Sequence, residues 1–273
     1  MRPYSQERSC RSGHKQVIEG SAEQRRCSVV SSLRSSALPI ANVVRQSHSA
    51  SFETHLPMYK LHGFSQSGNT YKVALLLQAL RQPWAAEHVT FAEFAGGLTR
   101  SDAWRQEHNA MGEVPILEDG ERMLTQSAAI MLYLAGKHGE YAGATEEDRQ
   151  EVLRWLFFDN HKFTSYFSTW RFMKSFGPVA PDSTIEKWLK GRIDNAFGIV
   201  EKHLASHRFI VGSQPTIADV SLCGYLYFPA EESGYDITKR YPAMTRWLER
   251  VKQIPGWVAP YDLLPGEQVP PRW

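Results

Sequence analysis

Cysteine is scarce. The 273 residues contain three, Cys10, Cys27 and Cys223, and no two of them form a CxxC pair. That excludes a disulfide framework and a cysteine-based zinc site, and it fits a reducing compartment, expected to be the cytoplasm. Long apolar runs are missing as well. No stretch of 18 apolar residues occurs, so the sequence predicts no transmembrane helix and no membrane partner. A large charge of either sign is also absent: a net charge of +2 gives no overall pull toward nucleic acid or acidic lipid. What remains is ordinary for a globular chain, 42% hydrophobic and 22% charged. The length suits one or two domains, each able to bury a core without crosslinks or metals.

The first 57 residues differ from the rest. They hold seven Arg and one Lys against four Glu, twelve Ser and no Trp, with little apolar periodicity. Such a segment buries too little surface to offset its ordering entropy, so residues 1–57 are expected to be a disordered extension. Two further explanations stay open. An Arg- and Ser-rich, acid-poor start is similar to an organelle transit peptide. Alternatively, the segment is an upstream extension and Met58, just before the first convincing strand, is the natural first residue.

From Met58 onward the pattern is regular. Tyr59–His62 reads as a strand and residues 64–70 as a turn-rich loop. Val73, Leu76, Leu77 and Leu80 recur at helical spacing over residues 71–80, and Pro83 closes that helix. A second strand is expected over 87–91 and a short helix over 101–107. Residues 114–117 and 123–124 flank Asp119-Gly120, the signature of a hairpin. Another helix starts at Gln126-Ser127. The order is β-α-β-α-β-β-α. From Thr145 to Gln253 the patterns are helical throughout. The expected architecture is therefore an α/β domain over 58–138, a linker over 139–148, an all-helical domain over 149–265 and a tail over 266–273.

Three short segments carry candidate chemistry. Ser67-Gly68-Asn69 lies between a strand and a helix start, where unpaired N–H groups and the helix dipole favour an anion. A hydroxyl there can donate to a thiolate. A free thiol has a pKa near 8.5, and lowering it by about two units needs roughly 2.7 kcal/mol, within reach of one charge-assisted hydrogen bond and a helix terminus. The competing role for Ser67 or Asn69 is a plain helix cap. Val114-Pro115 opens a strand. A cis bond there would present the backbone of Val114 to an extended peptide ligand, and an ordinary trans proline would not. Ser127 stands at a helix start, where it either holds a carboxylate with help from Gln126 or merely caps.

These segments together resemble the glutathione transferase superfamily over nearly all of 58–260. The loop Ser67-Gly-Asn-Thr-Tyr-Lys-Val73 looks like that of the serine-using, bacterial-type branch and is similar to the theta-class loop. The resemblance implies a thioredoxin-like domain that binds glutathione and a helical domain that supplies the electrophile pocket. It places Ser67, with Asn69, at the catalytic position. Val114 and Pro115 fall on the cis-proline site that pairs with the cysteinyl part of glutathione, and Gln126-Ser127 on the pair that holds the γ-glutamyl end. Pro215-Thr-Ile-Ala-Asp219 is similar to the family's capping box, with Thr216 as cap. Glu113 stands in the glutathione site where many relatives carry Lys or Gln, so it sets a negative charge near the ligand's glycine carboxylate. Ala110 replaces a usual proline. The loop lacks the cysteine of the omega and beta classes and the paired serines of the zeta class, which argues against thiol exchange and isomerase chemistry. Phe64, Asn160, His161 and Thr164 are the candidates for the electrophile pocket. His161 has no second ligand at i+4, so no metal is expected. The implied partners are glutathione, a small hydrophobic electrophile and a second copy of the chain. The implied activity is attack by glutathione thiolate on an electrophile or peroxide, and the alternative is a non-catalytic binding or interaction protein with the same fold.

Overall fold

Strand β1 (Tyr59–Gly63) is the second of four in a mixed sheet of order β2-β1-β3-β4. The computed structural model describes residues 59–177, 183–268 and 270, so what the sequence suggests for residues 1–57 and Met58 lies outside the described residues. Strand β2 (Trp84–His88) runs parallel to β1 and begins three residues earlier than the sequence suggests. The turn after Pro83 sets its start, because Tyr59 N–H donates to Pro83 O (3.1 Å) and locks Tyr59 opposite Trp84. Strands β3 (Ile116–Asp119) and β4 (Arg122–Thr125) form the expected hairpin, with Gly120 at φ +61 in its turn. Between β2 and β3 lie the short helices α2 (Phe91–Ala95) and α3 (Asp102–Glu107).

Helix α1 (Gly68–Ala79) begins three residues before the periodicity suggests. Ser67 caps it: its Oγ accepts the Thr70 N–H at 3.1 Å. The helix is buried all round rather than on one stripe, with Val73, Ala74, Leu75, Leu76 and Leu77 fully covered. A helix apolar on every side needs partners on every side. Helix α4 (Ser127–His138) packs beside it, and the helical half covers the remaining face through α8 (Ile217–Cys223).

The helical half starts with α5 (Glu146–Phe158), capped by Thr145 in a reciprocal box with Asp148. A π-helical turn, Asp159–Phe163, joins it to α6 (Thr164–Ser175). Helix α7 (Thr184–Leu204) packs on α6, and α8 has the expected capping box of Thr216 and Asp219. Asp219 is buried and also accepts from Ile210 N–H (2.9 Å) and Trp247 Nε1 (2.8 Å), so the box anchors neighbouring segments as well as the helix. Short helices α9 (Ala230–Ser233) and α10 (Ile237–Arg240), then α11 (Pro242–Val251) and α12 (Pro260–Leu263), complete it. Cys223 and Trp247 are fully buried packing residues. Among the described residues no helix is long and apolar enough to cross a membrane.

Candidate functional site

A cavity of about 360 Å³ opens at the N-terminus of α1. Its floor is the loop Phe64–Asn69, which leaves β1 and turns into the helix. Ser67 is 6% exposed. Its oxygen accepts the Thr70 N–H, so its own proton is still available to donate. Capping and donation are therefore compatible, and the first turn of α1 adds the positive dipole end, with the Gly68 and Asn69 N–H groups turned toward the Tyr225 hydroxyl. Gln66, 4% exposed, also borders the cavity, and its Oε1 is buried without a partner. A buried polar atom left unpaired beside a cavity is what a polar ligand would satisfy.

A small polar cleft of about 50 Å³ adjoins the first and shares Asn69, Glu113 and Val114 with it. Pro115, Gln126, Ser127, Asn109 and Asn160 form the rest of its wall. The Val114–Pro115 peptide is cis. Gln126 has φ +66, a left-handed value that costs a non-glycine residue of order 1–3 kcal/mol. Ser127 is the first residue of α4 and is buried, and Gln126, at the cap position, makes no side-chain cap bond. The Gln126 Nε2 donates instead to Glu113 Oε2 at 3.2 Å. Asn109 Nδ2 donates to Glu113 O (2.7 Å) and fixes the segment that precedes the cis peptide.

The sequence thus places Ser67, Asn69, Glu113, Val114, Pro115, Gln126 and Ser127 around two connected clefts, and Phe64 borders the larger one. Asn160 lies in the small polar cleft, on the other side from the aromatic wall. His161 and Thr164 line neither cleft. The π turn explains this. It points Asp159 and Thr164 inward, where Lys72 Nζ donates to Asp159 Oδ2 (2.7 Å) and Thr164 Oγ1 (3.1 Å), and leaves His161 exposed.

The larger cavity draws its opposite wall from residues without a sequence signal of their own. Phe91 meets Phe64 edge-on, with ring centroids 5.8 Å apart, and lies 4.8 Å from Phe176. Phe172 and Arg171 come from α6, and Tyr225 from the segment after α8. Arg171 is 3% exposed and pairs with the fully buried Glu232, its Nε donating to Oε2 at 2.7 Å. Its Nη1 donates to Gln66 O at 2.8 Å, tying the helical half to the loop that carries Ser67. Ser65 N–H donates to Pro265 O (3.2 Å), and the Gln66 side chain donates to Glu267 O. Residues near the start of the expected tail therefore pack against the active loop.

Comparison with known proteins gives the family. Residues 61–142 match the glutathione S-transferase N-terminal domain, and residues 182–250 match the glutathione S-transferase C-terminal domain. A crystal structure of glutathione S-transferase from Pseudomonas fluorescens Pf-5 is 32% identical with a TM-score of 0.68, covering 75% of this chain and 100% of that one. Glutathione S-transferase theta-2 of Mus musculus is 28% identical over 155 residues, which are 54% of this chain and 63% of the mouse protein's length. Elongation factor 1-gamma 3 of Oryza sativa subsp. japonica is 25% identical over 173 residues, 60% of this chain and 40% of the rice protein.

Proposed function

Because this chain belongs to the glutathione S-transferase family, we propose that its two clefts bind glutathione and that Ser67 keeps the glutathione sulfur as thiolate for attack on a hydrophobic electrophile or a peroxide. The observation that carries this reading is the buried Ser67 hydroxyl at the N-terminus of α1, capped so that its proton can be donated, on the floor of a cavity with an aromatic wall. The γ-glutamyl carboxylate would lie against Ser127 at the N-terminus of α4, and the cysteinyl backbone against Val114. The sulfur then falls between the polar cleft and the aromatic wall. Loss of the thiol proton to solvent leaves the electron pair on sulfur. Toward a carbon electrophile that pair forms the new bond while the leaving group departs with its own pair. Toward a peroxide it takes the terminal oxygen as the O–O bond breaks, and the alkoxide gains a proton from solvent. A second glutathione then converts the sulfenic acid to disulfide and water. Phe64, Phe91, Phe172 and Phe176 would hold the electrophile, so the protein's contribution is proximity and a fixed donor. A homodimer belongs to the same proposal.

The test is conjugation of chlorodinitrobenzene and reduction of cumene hydroperoxide by wild type and Ser67→Ala, with glutathione binding measured by calorimetry. We expect both proteins to bind glutathione and the substitution to lower turnover about 10²-fold, the loss typical of one removed donor. Equal turnover on every responsive substrate would remove Ser67 from the mechanism.

A second reading, a binding module without catalysis, is favoured by Glu113. Its carboxylate stands in the polar cleft, where the ligand's own carboxylate would meet it. No heat with millimolar glutathione, together with a stable protein partner, would support that reading.

A further inference from the structure

Tyr225 reaches the start of α1 from the helical half, and the packing makes room for it at two glycines. A methyl group at Gly68 would stand 2.4 Å from the Tyr225 ring, and one at Gly224 would stand 3.0 Å from Gly68 O and 2.5 Å from Lys72 Cε. Gly224 has φ −52, so space rather than backbone freedom calls for glycine there. The ring thus lies across the first turn of α1, and Tyr225 lines the same cavity as Ser67 and Asn69.

The surroundings of the phenol define its state. Burial raises its pKa above the ordinary phenol value, while Arg171, the Asn69 N–H, Ser67 and the Gly68 N–H pull the other way. The hydroxyl is therefore protonated at neutral pH and is a donor. The charged groups that face it are Arg171, whose guanidinium is 5.8 Å from the ring centroid and is paired with Glu232, and Glu113 on the far side of the cavity.

We propose that Tyr225 is a second catalytic donor, which hydrogen-bonds the glutathione sulfur alongside Ser67. This inference rests on the assignment of the sulfur to the N-terminus of α1. A sulfur held by Ser67 alone would face water across a wide cavity. A sulfur held by Ser67 and Tyr225 together has two adjacent hydroxyls to donate to it. No bond to Tyr225 forms or breaks: the thiol proton leaves to solvent, the electron pair stays on sulfur and the phenol keeps its proton.

The test is a pH titration of the ultraviolet absorbance of bound glutathione thiolate, with turnover, for wild type, Tyr225→Phe, Ser67→Ala and the double variant. Tyr225→Phe removes one oxygen and keeps the ring, so the packing against Gly68 survives. We expect it to raise the bound thiol pKa by about one unit, the worth of one hydrogen bond to a charge, and to lower turnover at neutral pH about threefold, the fall in thiolate fraction when a pKa of about 6.5 moves to about 7.5. Glutathione affinity at neutral pH should fall by no more than about threefold, the linked cost of that shift, and turnover should recover toward wild type as pH rises, which a packing role alone would not produce. A shift with Ser67→Ala and none with Tyr225→Phe would overturn this inference alone. The reverse pattern would sustain it and overturn the role of Ser67. A wild type that fails to bind glutathione would overturn both.

Discussion

Two buried ion pairs lie near the boundary between the sheet-bearing half and the helical half, one spanning it and one within the helical half, and their surroundings differ. Lys72 and Asp159 are both fully covered and lie behind α1, sealed by the hydroxyls of Thr164 and Ser221 at 2.5 Å from the carboxylate. Arg171 and Glu232 lie at the cavity, and Arg171 spends a second donor on the backbone of Gln66. The hidden pair has no access to water, so losing one partner strands a charge. The cavity pair can turn a freed guanidinium toward solvent, but the loop beside Ser67 then loses a tether. One kind of interaction therefore serves docking in one place and loop geometry in the other.

Single substitutions can break this contrast. The largest effect is expected from Asp159→Ala, which strands Lys72 and should cost about 3–5 kcal/mol of unfolding free energy. Glu232→Ala should cost less, about 2 kcal/mol, yet lower conjugation several-fold because the Gln66–Ser67 loop is released. Denaturant unfolding and initial rates on both variants read the two quantities side by side. If Glu232→Ala lost stability equally and kept full activity, the distinction would collapse. The smallest effect is expected at the exposed Glu113. Removing its charge with Glu113→Gln should tighten glutathione binding about threefold and leave turnover unchanged, as calorimetry and steady-state rates would show.

The two halves also differ in how much of them is written in local sequence. The loop of Ser67, the Val114–Pro115 peptide and the Gln126-Ser127 helix start are contiguous motifs that turn and cap rules mark and the family resemblance gives a role, and the structure gathers all three at one pair of clefts. The same holds for the Thr216–Asp219 capping box. The far wall is different. Arg171, Phe172, Phe176 and Tyr225 become neighbours of Ser67 only through the tertiary packing of the helical half, whose α8 docks on α1, and nothing in their local spacing marks that. The π turn at Asp159–Phe163 was equally hidden. An uninterrupted helical pattern cannot reveal the extra residue that rotates Thr164 inward onto Lys72 and leaves Asn160 beside the polar cleft. The start of β2 departs from the sequence expectation for a related reason, since pairing with β1 rather than strand propensity fixes it.

A crystal structure of the protein soaked with glutathione tests the central claim most directly. The account predicts the sulfur within hydrogen-bonding distance of Ser67 Oγ at the first turn of α1, with the γ-glutamyl carboxylate on Ser127. A ligand whose sulfur points away from that turn, with Ser67 facing only Thr70, would contradict it.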